Sequence, residues 1–221
     1  MTERLIGARR AALGALGAIL ALSLSTPAQA AGEGTDAAQL AAVPDGNITV
    51  EVVAANGSGC APGTATVVAN ADKTGFRIRY RDFVAQAGGG VDATDRRKNC
   101  QAGVVVTAPA GWTFAIAEAN YRGRARLSSG ATGLQRTSYY WQGSATTSRT
   151  EETFGGPYYG YWNTDDVAPV LIYVPCEEQR VLNINTELRV DAGTSTSTSS
   201  MSMTSSDGDV DTLFNFSWVR C

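Results

Sequence analysis

Leu182, Ile184, Thr186, Leu188 and Val190 fall at every second position of one stretch, and nothing beyond residue 45 carries a matching stripe at helical spacing. A strand turns successive side chains to opposite faces, so this stretch reads as a strand with one buried side. Ile48, Val50, Val52 and Ala54 repeat the pattern, as do Phe76, Ile78 and Tyr80, and Trp112, Phe114 and Ile116. Further strands are predicted at 64–69, at Val104-Val105-Val106 before Pro109, and at 121–127, 134–142, 167–174 and 212–220. Residues 70–75 read as a polar turn, and Gly88-Gly89-Gly90 opens a loop to Cys100. The Ser/Thr-rich run 193–206 has linker composition, yet Met201 and Met203 alternate with Ser202, and Asp207-Gly208 is a turn dipeptide. A hairpin strand is expected there. About ten short strands punctuated by Gly and Pro predict an all-β fold, a two-sheet antiparallel β-sandwich of immunoglobulin-like or jelly-roll-like type. Residues 46–221 form its single domain.

The first thirty residues have a different logic. Arg4, Arg9 and Arg10 precede an apolar run from Ala11 to Leu24, and Ala28-Gln29-Ala30 is a small-x-small cleavage site. A run of about 14 residues is too short to span a bilayer, so it reads as a secretory signal peptide, 1–30, leaving no membrane span after cleavage. Arg9-Arg10 also suits twin-arginine export. Residues 31–45 read as a flexible leader ending at Pro44-Asp45-Gly46. The expected location is extracellular.

Four cysteines, Cys60, Cys100, Cys176 and Cys221, follow the signal. An even count in an exported chain reads as two disulfides. Three pairings are possible. Cys60 with Cys100 and Cys176 with Cys221 is favoured, because each then staples consecutive strands. A four-thiolate zinc site would want close C-x-x-C pairs, which are missing.

The chain contains no histidine. That excludes Ser-His and Cys-His catalysis and His-ligated zinc within it. Paired carboxylates remain conceivable, and Glu151-Glu152, Asp165-Asp166 and Glu177-Glu178 are the adjacent acids. Asp207, Asp209 and Asp211 alternate but lack the Gly and distal Glu of a calcium loop. No metal, cofactor or catalytic residue is assigned.

Two groups of side chains are candidates for binding. Arg77, Arg79 and Arg81 would share one strand face, and Arg122, Arg124 and Arg126 another. Such stripes need interleaved acids, with Glu51 and Glu187 as candidates, or an anionic partner. Phe154-Gly155-Gly156-Pro157-Tyr158-Tyr159-Gly160-Tyr161-Trp162 places five aromatics in what reads as a Gly/Pro loop. Tyr158, Tyr159, Tyr161 and Trp162, with Arg77, Arg79, Arg122 and Arg124, are the binding candidates. The aromatic loop ranks first, because ring contacts survive salt that screens exposed arginines.

Asn56-Gly57-Ser58-Gly59-Cys60-Ala61-Pro62-Gly63-Thr64, Arg97-Lys98-Asn99-Cys100, Pro109-Ala110-Gly111-Trp112 and Tyr121-Arg122-Gly123-Arg124-Ala125 form the first part of an ordered set of motifs. Tyr139-Tyr140-Trp141-Gln142-Gly143, Gly156-Pro157, Pro175-Cys176, Leu182-Asn183-Ile184-Asn185-Thr186 and Trp218-Val219-Arg220-Cys221 complete it. The set resembles the secreted family known as domain of unknown function 4360 and covers nearly all of 46–221. The resemblance implies a small secreted bacterial or fungal protein with two disulfides, and transfers no catalytic residue. One departure stands out: Glu177-Glu178 follows Cys176 where the family pattern suggests a Ser-Pro-Cys-Gly-like turn.

The expected function is a non-catalytic binding module for a glycan, a cell surface or a protein, with no nucleic acid as partner. Alternatives are a secreted hydrolase using paired carboxylates, and an interaction subunit of a secreted toxin or an enzyme inhibitor.

Overall fold

The computed structural model describes residues 43–203 and 211–221. The signal segment, leader residues 31–42, the Asp207-Gly208 turn and Asp209 lie outside the described residues. Twelve strands lie within them: β1 Thr49–Asn56, β2 Ala65–Ala69, β3 Gly75–Tyr80, β4 Val84–Ala87, β5 Arg97–Thr107, β6 Trp112–Leu127, β7 Thr132–Trp141, β8 Ser148–Gly155, β9 Tyr158–Val167, β10 Val181–Asp191, β11 Ser199–Ser202 and β12 Thr212–Arg220. A short 3-10 turn, Ala93–Arg96, is the only helical element among the described residues.

Two antiparallel sheets result. The first runs β1-β5-β10-β7-β8, and the second β2-β3-β12-β6-β11-β4, with β9 on β6. The register simplifies the second sheet. β12 meets β6 up to Thr212↔Tyr121, and β11 meets it from Ser202↔Arg124, while β9 occupies the opposite edge of β6. β11 and β12 therefore lie end to end along one edge. Their outer neighbours do the same, because β3 pairs with β12 and β4 with β11. The second sheet is five columns wide, like the first.

β6 unites two stretches that sequence periodicity separates. Phe114 and Ile116 face inward, and so do Ala119, Tyr121, Ala125 and Leu127. The phase changes between them at a bulge, where the pairing steps from Phe216↔Ile116 to Asn215↔Glu118. The extra residue keeps apolar side chains inside on both halves of the strand.

Sequence and structure part company elsewhere as well. Residues 168–174 form no strand, because Pro169 has no N–H to donate to a ladder. Strands β4 and β8 and most of β9 carry weak apolar alternation and escape a periodicity reading. β11 is a strand, but its partners are β4 and β6 rather than a hairpin with β12.

Between the sheets, Phe76 stacks on Phe214 at 4.9 Å, and Phe114, Phe216, Trp218 and Trp141 make tilted or edge contacts around them. A polar belt crosses this core. The Thr164 hydroxyl donates to Gln135 Oε1 at 2.9 Å, the Gln135 amide donates to Thr137 Oγ1 at 2.8 Å, and Thr137 donates to Thr186 at 3.2 Å. All four residues are buried.

The disulfides join Cys60 to Cys100 and Cys176 to Cys221. The first is buried and pins the loop before β2 onto β5, beside a hydrogen bond from the Gly59 amide to the Asn99 carbonyl. Gly57 (φ 140) packs against that carbonyl, with no room for a Cβ. The second is exposed and ties the chain before β10 to the C-terminal end of β12. With the paired cysteines 40 and 45 positions apart, each disulfide contributes about 4 kcal/mol in a chain-entropy account. Glu177, after the third cysteine, has φ 65, the left-handed region that suits glycine. The Gly-like turn survives here with a residue poorly fitted to it.

Glu177→Gly should therefore stabilise the fold by about 1 kcal/mol, read as a raised urea midpoint at unchanged slope. Burial pushes the phenols of Tyr80 and Tyr139 up to about 12, so the fold favours their neutral forms. The stability this contributes is fully present below the unfolded tyrosine value near 10 and is lost as pH rises from there through 12. Alkaline titration should show tyrosinate absorbance from these two rings appearing together with loss of near-ultraviolet circular dichroism.

Candidate functional site

The arginine stripe and the aromatic segment meet on one surface. Residues 158–162 are not a loop: they open β9, which pairs with β6 in the register Arg126↔Tyr159, Arg124↔Tyr161 and Arg122↔Asn163. Odd-numbered residues of β9 face solvent, and so do the even-numbered arginines of β6. Each cation thus sits directly across from an aromatic or amide. The Arg124 guanidinium lies 4.8 Å from the centre of the Tyr161 ring, and that of Arg126 lies 5.5 Å from Tyr159. Tyr159 is 78% exposed and Tyr161 53%.

The same face continues toward the far end of β9. Asn120 on β6 donates to Asp165 Oδ1 at 2.6 Å and to Glu118 Oε1 at 2.9 Å. Asn215 on β12 stands next to them, 3.4 Å from Asn120 Oδ1. A shallow hollow of about 440 Å³ is bordered by Arg122, Tyr161, Trp162 and Asn163. Farther across the sheet, Arg77 and Arg79 project from β3 on this side. Arg77 pairs with Asp211 at 3.4 Å.

Two aromatic candidates belong elsewhere. Strand alternation turns Tyr158 and Trp162 away from the exposed face. Trp162 is 3% exposed and packs on Phe154 at 5.5 Å, its indole filling the space where Gly123 lacks a side chain. Tyr158 lies edge-on to Phe154, with its hydroxyl donated to the Tyr161 carbonyl at 2.5 Å.

The two outer faces differ electrostatically. On the first sheet, Arg97 meets Glu187 at 2.6 Å, and Arg136 and Arg149 meet Glu151 at 2.7 and 2.9 Å. Hydrogen bonds from Arg136 and Arg149 hold the Glu151 carboxyl down to about 2. Glu187 therefore serves that sheet and does not interleave with the stripe on the second; Glu51, on β1, also belongs to the first. Among the described residues, no carboxylate pairs with Arg79, Arg122 or Arg126.

Nor do the adjacent acids form facing pairs. Asp165 and Asp166 point to opposite faces of β9, Glu151 is bound by two arginines, and Glu178 is bound by Arg180 at 2.8 Å. Asp211 is engaged with Arg77, whereas Asp207 and Asp209 lie outside the described residues.

The ordered motifs now have places in the fold. The Asn56–Thr64 motif is the disulfide-pinned loop, Tyr121–Ala125 carries the Arg-Tyr face, and the closing motif ends β12. Residues 46–221 match the family described as "Domain of unknown function (DUF4360)". The chain belongs to this family. An "Uncharacterized secreted protein" of Arthroderma benhamiae (strain ATCC MYA-4681 / CBS 112371) is 34% identical over 138 residues, covering 62% of this chain. The match spans 56% of that relative's length. Among solved structures, the enzymatically active domain of bacteriophage CBA120 tailspike protein 4 aligns over 79% of this chain and 19% of its own, at 14% identity and a TM-score of 0.23. A likeness that weak carries no argument about fold or activity.

Sequence reasoning missed Asn120, Asn163, Asp165 and Asn215 as neighbours of the stripe. The signal was present: Tyr159, Tyr161, Asn163 and Asp165 alternate with period two, behind a Gly/Pro run that reads as a loop.

The contrast within the aromatic segment can be measured. Trp162→Ala should cost roughly 3–5 kcal/mol in urea unfolding, since it empties a core site. Tyr159→Ala should cost no more than about 1 kcal/mol, the value of an exposed cation–π contact.

Proposed function

We propose that this chain is an exported, non-catalytic binding domain whose outer second sheet, centred on β6 and β9, takes up an acidic glycan. The observation that carries the reading is the cross-strand Arg-Tyr ladder. Tyrosine rings offer flat apolar faces for sugar C–H surfaces, and arginine forks match carboxylates and sulfates. A guanidinium lying over a ring, as Arg126 does over Tyr159, is already ordered, so less side-chain entropy is lost on binding. Asn120, Asn163 and Asn215 add amides of the kind that pair with sugar hydroxyls.

Charge supports the same choice. Removal of residues 1–30 would leave 15 basic and 20 acidic residues, an anionic protein. Yet Arg77, Arg79, Arg122, Arg124 and Arg126 all project from one side of one sheet. An anionic polymer would meet local attraction on that side and net repulsion elsewhere, which orients it. Export accords with the amino-terminal segment, the two disulfides and the secreted relative.

The test uses polygalacturonate and heparin as carboxylate and sulfate probes, with dextran as the neutral control, in titration calorimetry on the chain lacking residues 1–30. At least one acidic probe should bind and dextran should not. Affinity should fall at least tenfold in the Arg122→Gln/Arg126→Gln variant, and by a similar factor in Tyr159→Ala/Tyr161→Ala, with unfolding midpoints little changed. Binding should weaken steeply with salt. Failure of both acidic probes, or full affinity in both double variants, would overturn the reading.

A further inference from the structure

A second opening lies at the end of the sandwich, on the side where β9 stops. Among the described residues, two backbone amides take up the β6 edge that β9 vacates. The Ala168 amide donates to the Ala117 carbonyl at 2.9 Å, and the Val174 amide donates to the Phe114 carbonyl at 3.0 Å. Between them the chain bows away from the sheet, because Pro169 cannot continue the ladder. The bow leaves a pocket of about 400 Å³ against the end of β7.

Its walls are Ile116, Trp141, Ala168, Pro169 and Ile172, with hydroxyls at the rim from Thr146, Thr147 and the first residue of β8, Ser148. No charged side chain lines it. An apolar residue is also left in water at the mouth: Val170 is 71% exposed. Concave, mainly apolar pockets of this size edged by a few polar groups are the usual form of small-molecule sites.

We infer that this pocket binds a small, uncharged, apolar molecule. Lack of charge follows from the surroundings: an ion entering would lose its water, an anion would face the Asp166 carboxylate behind Ser148, and a cation would find that carboxylate already accepting from the Ser148 hydroxyl at 3.1 Å. Size follows from the volume. A cavity of about 150 Å³ accommodates one benzene, so this one has room for roughly two or three rings. The site is separate from the Arg-Tyr face and does not depend on what that face binds.

The probe is N-phenyl-1-naphthylamine, uncharged and fluorescent in apolar surroundings, added to the chain lacking residues 1–30. Trp141 in the wall should transfer excitation to it. The expected result is saturable one-to-one binding in the micromolar range. Affinity should drop at least tenfold in Ala168→Trp and in Thr147→Trp, which fill the pocket from the wall and from the rim. Val219→Trp, an exposed bulky control on β12, and Tyr159→Ala/Tyr161→Ala should bind as the parent does. The anionic analogue 8-anilinonaphthalene-1-sulfonate should bind at least tenfold more weakly. If Ala168→Trp does not fold, Thr147→Trp decides. Absence of saturable binding, unchanged affinity in a folded pocket-filling variant, or equal binding of the anionic analogue would each overturn the inference.

Discussion

β6 is hydrogen-bonded along both edges, and most of the second sheet depends on keeping its phase. One edge carries β12 and then β11, and the other carries β9. A phase error of one residue would bring Arg122, Arg124 and Arg126 into a core of Phe and Trp rings. The single bulge opposite Asn215 and Phe216 prevents this by letting two runs of opposite parity share one strand. The core and the arginine face are thus two consequences of one register.

The interior is less oily than a sandwich core needs to be. Gln135, Thr137, Thr164 and Thr186 hold one another across three strands from both sheets. Buried hydrogen bonds of this kind are directional, whereas apolar contacts tolerate sliding. The belt therefore disfavours alternative stackings of the sheets that would bury the same apolar area. Conformational specificity gained from buried polar groups is documented in some systems and not in others. Here the belt sits where β7 and β10 face β9, the region that fixes the outward presentation of Tyr159 and Tyr161.

Legibility from sequence followed the strength of alternation. β10, with five inward residues at strict period two, and β3, with Phe76, Ile78 and Tyr80, could be read directly, and with them the all-β class. β9 could not. Its inward residues include Tyr158, Gly160 and Thr164, and its outward ones include two tyrosines, so hydrophobicity does not alternate even though the geometry does. Gly155, Gly156 and Pro157 in front of it then suggested a loop. The binding candidates were found separately for the same reason: nothing local in residues 122–126 announces that residues 159–163 lie alongside. The burial of Trp162 is likewise hidden from sequence, because composition marks a ring as sticky without saying which way it points. The pocket beside residues 168–172 arises from a ladder that fails to resume, which no motif encodes.

The end-to-end arrangement of β3 with β4 and of β11 with β12 bears on how the second sheet is anchored. Both interruptions fall at the same height in neighbouring columns, with the Met203 amide donating to the Phe83 carbonyl just beyond the paired residues. Each half-strand is held by its own ladder on β6, β11 at Arg124–Arg126 and β12 at Trp112–Tyr121. The column is two half-staves fixed separately to one continuous rail, so loosening one pair of half-strands need not undo the other.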